Sequence, residues 1–209
     1  MSCCRARGAE PFTEKQARRD ARRLRRKGLD PWAQRLAAAV DPAGATVLEV
    51  GAGVGGLTFE LLRRGGVHAV GVELSPGYEH VAAELARERG VEAVVERRIL
   101  DFAHAADDLE AAGVVVMHRV VCCTPAGPAI VRAAAARTER ALAFSFPRPS
   151  WWMRAGARLL NAGAALARWE WRFYVHPAAA LVAAAESEGL RATRRERGRV
   201  WELAAFERL

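Results

Sequence analysis

The run Val47-Leu48-Glu49-Val50-Gly51-Ala52-Gly53-Val54-Gly55-Gly56-Leu57 constrains this chain more than any other stretch, because an apolar, β-branched segment breaks abruptly into four glycines within six residues. The apolar part reads as a buried strand. Glycine after it permits positive φ and lets the main chain approach a ligand with no Cβ in the way. The apolar pattern that resumes at Leu57 opens a helix, whose first turn presents unpaired N–H groups. A strand, a glycine turn and a helix in that order belong to α/β architecture and put a ligand at the carboxyl end of the strand.

The rest of the chain repeats the pattern. Strands are expected at 46–50, 67–73, 91–100, 114–120 and 141–146, with helices at 55–64, 76–88 and 125–137 and a short helix near 107–111. Two helices precede the first strand: 12–26, capped by Thr13, and 31–40, opened by Pro31 behind Asp30. After Phe146 the alternation stops. Pro147-Arg148-Pro149-Ser150 leads into a helical insertion at 151–171 that holds four of the six tryptophans. A helix from His176-Pro177 to Glu188 and two strands, 190–195 and 199–207 hinged at Gly198, complete the chain. The expectation is an α/β fold: a Rossmann-like doubly wound sheet of seven strands, mostly parallel with a C-terminal antiparallel hairpin, and a helical insertion after strand five. Val114-Val115-Val116-Met117 has the continuous apolar character that burial on both faces requires. The length of 209 residues suits one domain over 1–209, with N-terminal helices in 12–40 and the insertion in 147–175.

Two ligand classes use such a turn. Gly51, Gly53 and Gly56 match the dinucleotide spacing G-x-G-x-x-G, while Glu49, Gly51, Gly53 and Gly55 match the E-x-G-x-G-x-G of S-adenosylmethionine (SAM) sites. Both want a carboxylate closing the second strand to accept from ribose hydroxyls, and Glu73 supplies it. Glu49 separates them. An acid just before the glycines has no task on a pyrophosphate, whereas it suits the ammonium of the methionine portion. Asp101-Phe102, after the third strand, offers an acceptor for the adenine amino group and a ring to flank the base. A short-chain dehydrogenase would need Tyr-x-x-x-Lys, but Tyr78 and Tyr174 are followed four residues on by Ala82 and Ala178. The glycines alone leave both classes open; their surroundings favour SAM.

The formal net charge of +8 on its own points to an acidic partner such as RNA. Lysine occurs only at Lys15 and Lys27, however, and a chain rich in arginine and alanine is what GC-rich coding produces. The densest basic run, from Arg18 to Lys27, reads as a solvated helix face, with an RNA-guiding helix as the alternative. No secretory leader is visible and no stretch is apolar enough to span a membrane, so a cytoplasmic protein is expected. The pairs Cys3-Cys4 and Cys122-Cys123 lack C-x-x-C spacing. Packing residues are the favoured reading for Cys122 and Cys123, a metal site built with His118 is the lesser alternative, and no metal is expected.

Taken together, Glu49-Val50-Gly51-Ala52-Gly53-Val54-Gly55, Glu73, Asp101 and the terminal hairpin resemble class I SAM-dependent methyltransferases over nearly the whole chain. The segments His118-Arg119-Val120-Val121-Cys122-Cys123, Phe144-Ser145-Phe146-Pro147-Arg148 with Trp151-Trp152, and Val175-His176-Pro177 resemble an uncharacterised actinobacterial branch, distantly similar to magnesium-protoporphyrin O-methyltransferases. The resemblance implies SAM as cofactor, with Glu49, Gly51, Ala52, Gly53, Gly55, Glu73, Leu74, Asp101, Phe102 and His118 around it. It further implies methyl transfer to a small molecule, with oxygen of a hydrophobic or acidic compound as the expected acceptor.

His118 and Arg119, ending the fourth strand, and His176 are the candidates for substrate contact. A histidine there takes up a proton near neutral pH. The alternatives are a His118 bonded inside the sheet, an Arg119 paired locally and a His176 that caps its helix. Signatures of nucleic-acid base methylation are missing: Pro125 follows rather than precedes Cys122-Cys123, and no Asn or Asp with two prolines and an aromatic residue follows the fourth strand. The tryptophan-rich insertion, with Arg148, Arg154 and Arg158, is expected to close over the acceptor as a lid. A helix packed on the sheet, or a patch for a membrane surface or partner, is the alternative.

Overall fold

Residues 12–209 are described by a computed structural model of the protein, and Cys3 and Cys4 lie outside them. Thr13 Oγ1 accepts from the Gln16 amide at 3.4 Å and starts α1 (Glu14–Lys27), whose last turn carries Arg25, Arg26 and Lys27 where the helix dipole favours cations. Asp30 caps α2 (Pro31–Ala37) by accepting from the Trp32 and Ala33 amides. The alternating part follows as β1 (Thr46–Val50), α3 (Gly56–Arg63), β2 (His68–Glu73), α4 (Glu79–Glu88), β3 (Val95–Ile99), α5 (Phe102–Ala105), β4 (Ala112–His118), α6 (Gly127–Ala136) and β5 (Thr138–Pro147). Then come α7 (Trp151–Leu166), α8 (Ala178–Glu186) and the hairpin of β6 (Leu190–Arg197) and β7 (Trp201–Arg208).

The seven strands form one sheet in the order β3-β2-β1-β4-β5-β7-β6, and β7 alone runs against the others. Strand order reverses between β1 and β4. Such a reversal leaves a crevice beyond the strands' carboxyl ends, since the connecting helices leave to opposite faces. Alternation along each strand divides the core accordingly. Leu48, Val50, Val115, Met117, Leu142, Phe144 and Phe206 pack toward α6 and α8, while Val47, Val114, Val116, Ala143 and Leu203 pack toward α2 and α3. A third cluster seats α1 on α4, with Ala17, Ala21 and Leu24 against Tyr78, Val81 and Leu85. The two alanines let the helix come close.

Several boundaries differ from expectation, three of them for reasons visible in the backbone. β3 starts at Val95 rather than 91, because Gly90, at φ 65°, ends α4, the Val91 amide returns to the Ala86 carbonyl, and Glu92–Val94 make a 3-10 turn. The short helix lies earlier than 107–111: Asp101 accepts from the Ala103 amide and caps α5, and only a 3-10 turn, Ala106–Asp108, follows. α7 stops at Leu166, leaving Trp169 and Trp171 in irregular chain. Arg168 takes φ 58° there, with bonds from the Arg168 amide to Ala165 O and the Trp169 amide to Ala164 O, the pattern that closes a helix end.

Candidate active site

The glycine turn sits at the carboxyl end of β1, where Gly51, Gly53 and Gly55 all have positive φ, at 72°, 51° and 84°. The Gly51 and Ala52 amides both donate to the Val72 carbonyl, at 2.8 and 2.9 Å, and so pin the turn to β2. A Cβ on Gly51 would lie 2.5 Å from Val120 Cγ2, so two loops meet here with no room for a side chain. Arg97, on β3, braces the turn from behind. Its Nη2 donates to the Gly53 carbonyl at 2.9 Å and to Glu79 Oε1 at 2.7 Å.

Three carboxylates surround the turn. Glu49 is only 3 % exposed, and its Oε2 accepts from the Thr58 amide at 2.8 Å and from Thr58 Oγ1 at 2.5 Å. Burial pushes the Glu49 carboxyl up to about 7, against the pull of Thr58 and the more distant Arg97. Glu73 accepts from the Gly53 amide on Oε2 at 2.9 Å, and from the Leu74 and Ser75 amides on Oε1 at 2.8 and 3.0 Å. A carboxylate offers about four acceptor positions, so one on Oε2 stays open to an incoming hydroxyl. Asp101 caps α5 with Oδ1 while Oδ2 meets His104 Nδ1 at 3.0 Å, and Phe102 is buried beside it.

One cavity of about 640 Å³ joins these groups. Val50, Glu73, Leu100 and Val120 line it together, so the four loops beyond the parallel strands converge. Every residue expected around the cofactor reaches it except Gly55, which caps α3. The far wall, from Cys123, Thr124, Pro125, Ala126, Ala129 and Ile130, is largely apolar, and Arg119 and His118 edge it.

His118 is bonded at both ring nitrogens: Nδ1 to Ser145 Oγ at 2.9 Å and Nε2 to Asp30 Oδ2 at 3.1 Å. A neutral ring satisfies both contacts if Nε2–H donates to Asp30 and the Ser145 hydroxyl donates to Nδ1. Burial pushes the Asp30 carboxyl up, but the bond from His118, with Arg119 and the Ala33 amide, outweighs it and holds the group well below the usual carboxylate range. Arg119 takes φ 61°, donates through Nη2 to Asp30 Oδ1 at 3.3 Å and stacks 4.9 Å over the Trp201 ring. His176 stands outside the cavity. Its Nε2 lies 3.0 Å from the carbonyls of Val121 and Thr124 and must donate to them, so that nitrogen ties the wall rather than facing into the site.

The covering element differs from the one expected. No residue of 147–175 lines the cavity; Phe12, Asp20, Arg23, Leu24, Leu29 and Asp30 do. In the insertion α7 buries only Ala157 and Ala164, whereas α1 lies on the turn itself and Tyr78 OH donates to its Asp20 at 3.0 Å. The basic run of α1 is correspondingly engaged, with Arg23 on the cavity, Arg25 on Glu88 and Arg18 on Glu14. Cys122 and Cys123 have their sulfurs 3.9 Å apart, and the contact with Cys123 together with burial pushes the Cys122 thiol up, keeping it protonated. Among the described residues no group of three or more His, Cys, Asp or Glu is placed to hold a metal ion.

A family model described as a methyltransferase domain matches residues 20–194. No curated protein matches the chain. Among solved structures, magnesium protoporphyrin IX methyltransferase from Synechocystis PCC 6803, with bound S-adenosylhomocysteine (SAH), superposes with a TM-score of 0.67 at 21 % identity, covering 98 % of this chain and 90 % of that one. An O-methyltransferase family protein from Burkholderia thailandensis gives 0.67 at 18 %, covering 99 % and 66 %. A SAM-dependent methyltransferase from Mesorhizobium loti gives 0.63 at 14 %, covering 84 % and 96 %. At these identities the likeness is one of fold.

Proposed function

Since this chain belongs to the methyltransferase-domain family, we propose that it moves the methyl group of SAM to a small-molecule acceptor, and that the receiving atom is an oxygen of a hydrophobic or acidic compound. The observation that carries the reading is the single cavity joining a bare glycine turn and three carboxylates to an apolar wall edged by His118 and Arg119. Its volume falls in the range of roughly 300–1,000 Å³ usual for small-molecule sites.

The residues fit the donor's chemistry. Glu49 would take the ammonium, the open position on Glu73 a ribose hydroxyl, and Asp101 with Phe102 the adenine, while Gly51 and Gly53 leave the backbone free to approach. SAM supplies an electrophilic methyl on a sulfonium, and transfer is an in-line displacement whose rate depends mainly on alignment and exclusion of water. The chain's own part is to hold the acceptor. With both nitrogens of His118 engaged by Asp30 and Ser145, no free base faces the cavity from that ring. A carboxylate acceptor needs no base, and the Arg119 guanidinium, which lines the cavity, would attract one. We therefore favour an apolar carboxylic acid, converted to its methyl ester, in the cytoplasm.

Calorimetry with SAH tests the donor half. The wild-type chain should bind, and Glu73→Ala should weaken binding by about ten- to a hundredfold, as expected for a lost charge-assisted bond. Absence of wild-type binding would sink the reading. Mass spectrometry of reactions with SAM and paired apolar acids and phenols tests the acceptor half: base-labile methyl esters are expected, phenol ethers would shift the acceptor class, and SAH binding without any product would make the chain a binding module.

A further inference from the structure

The insertion that does not cover the cavity is turned inside out for a helix on a globular protein. Along α7 the inward residues are the small Ala157 and Ala164, while Trp151 is 80 % exposed, Leu159 76 % and Leu166 87 %. At 100° per residue these three, with Trp152, Ala155 and Ala162, fall on one arc of the helix, opposite the two buried alanines. Large apolar side chains facing water call for a cover.

The charges around the face identify it. Arg154 and Arg158 flank the apolar arc, Arg168 and Arg172 follow the helix, and Arg148 and Arg199 stand at its start, where with Trp151 and Trp152 they line a small cavity. None of these six forms an ion pair with a carboxylate among the described residues, whereas Arg18 and Arg25 of α1 and Arg194, Arg195 and Arg197 of β6 do. Glu170 is the one acid between Pro147 and Glu186. A second copy of this face would set arginines against arginines. A flat anionic surface with an apolar interior matches all of it: tryptophan at the interface, leucine below, and guanidinium groups at the phosphates.

We propose that α7 docks this protein on the surface of a bilayer containing anionic phospholipid. The helix lies in the plane of the surface; no helix among the described residues is long and apolar enough to cross. Because β5 runs parallel to β4, α7 also departs from the sheet end where the cavity opens, so docking brings that end to the lipid.

The test is flotation of the full chain with phosphatidylglycerol vesicles and, in parallel, with phosphatidylcholine vesicles. Wild type should float with the first and much less with the second, with a blue shift of tryptophan emission. Joint replacement Trp151→Ser, Leu159→Ser and Leu166→Ser should reduce partition by roughly a hundredfold or more. Arg154→Gln and Arg158→Gln should each cost about fivefold, and high salt should reproduce that loss. All five side chains face outward, and an unchanged melting temperature with retained SAH binding verifies the fold. Failure of wild type to float, or equal flotation of the triple variant, overturns the proposal. A concentration-dependent dimer that the triple variant abolishes in ultracentrifugation would assign the face to a second copy instead.

Discussion

Gly51→Ala should destabilise the protein by about 2–5 kcal/mol, roughly double what the same change does at Gly90. Both glycines have left-handed backbone, φ 72° and 65°, so alanine at either meets the same conformational penalty of about 1–2 kcal/mol. Only Gly51 adds a collision. Its Cβ would lie 2.5 Å from Val120 Cγ2, whereas nothing lies within 4 Å of a Cβ at Gly90. Overpacking of that kind costs a further 1–3 kcal/mol or so, because the turn is pinned by two amides on the Val72 carbonyl and cannot yield freely. Any yielding moves the Gly53 amide off Glu73, and SAH binding should fall by about a hundredfold with it. Urea unfolding of the two variants measures the difference. Adding Val120→Ala to Gly51→Ala should recover the steric part and leave the backbone part. Equal losses at Gly51 and Gly90 would mean the close approach carries no strain.

What was legible in the chain was what is local. The glycine turn, Glu49, Glu73 and Asp101 each sit within a residue or two of a strand end, and the mostly parallel sheet follows from the alternation of strands and helices. The terminal hairpin was readable for the same reason. Partnerships across long separations were not. Asp30 announced itself as the cap of α2, yet nothing near it indicates that its carboxylate also reaches His118 and Arg119, 88 and 89 residues on. Ser145 looks like an ordinary strand residue until β4 and β5 pair in register and set it opposite His118. Arg97 gives no sign in an exposed-looking strand that Gly71 on the neighbouring strand leaves it room to pass under the turn.

The inward face of the insertion was not legible for a related reason. Periodicity shows which residues share a face of a helix but not which face turns inward. Here the inward residues of α7 are Ala157 and Ala164, and the large apolar side chains face out. Ala17 and Ala21 likewise face inward on α1, and that helix became the cover of the cavity instead.

Glu49→Gln should make the unliganded protein more stable at pH 8 than at pH 5 relative to wild type, while weakening SAH by about a hundredfold at pH 8. The sign follows from burial. In the unfolded chain the carboxyl titrates near 4.5; in the folded chain it is pushed up to about 7. The folded state therefore holds the proton more tightly, its advantage is complete below about pH 4.5, and it is lost as pH rises through 7. The loss from this one group is at most about 3 kcal/mol. Glutamine mimics the protonated form, so the wild-type slope over that window should flatten in the variant. Binding an ammonium reverses the preference, because the ligand needs the carboxylate. Below pH 7 the wild type must expel a proton to bind, so affinity should fall by up to about tenfold per pH unit. Calorimetry in two buffers of different ionisation heat should then show nearly one proton released per SAH at pH 6 and almost none at pH 8, with neither signal in Glu49→Gln. Identical affinities across pH, or a variant that binds like wild type, would remove Glu49 from the ligand and leave it a buried strut to Thr58.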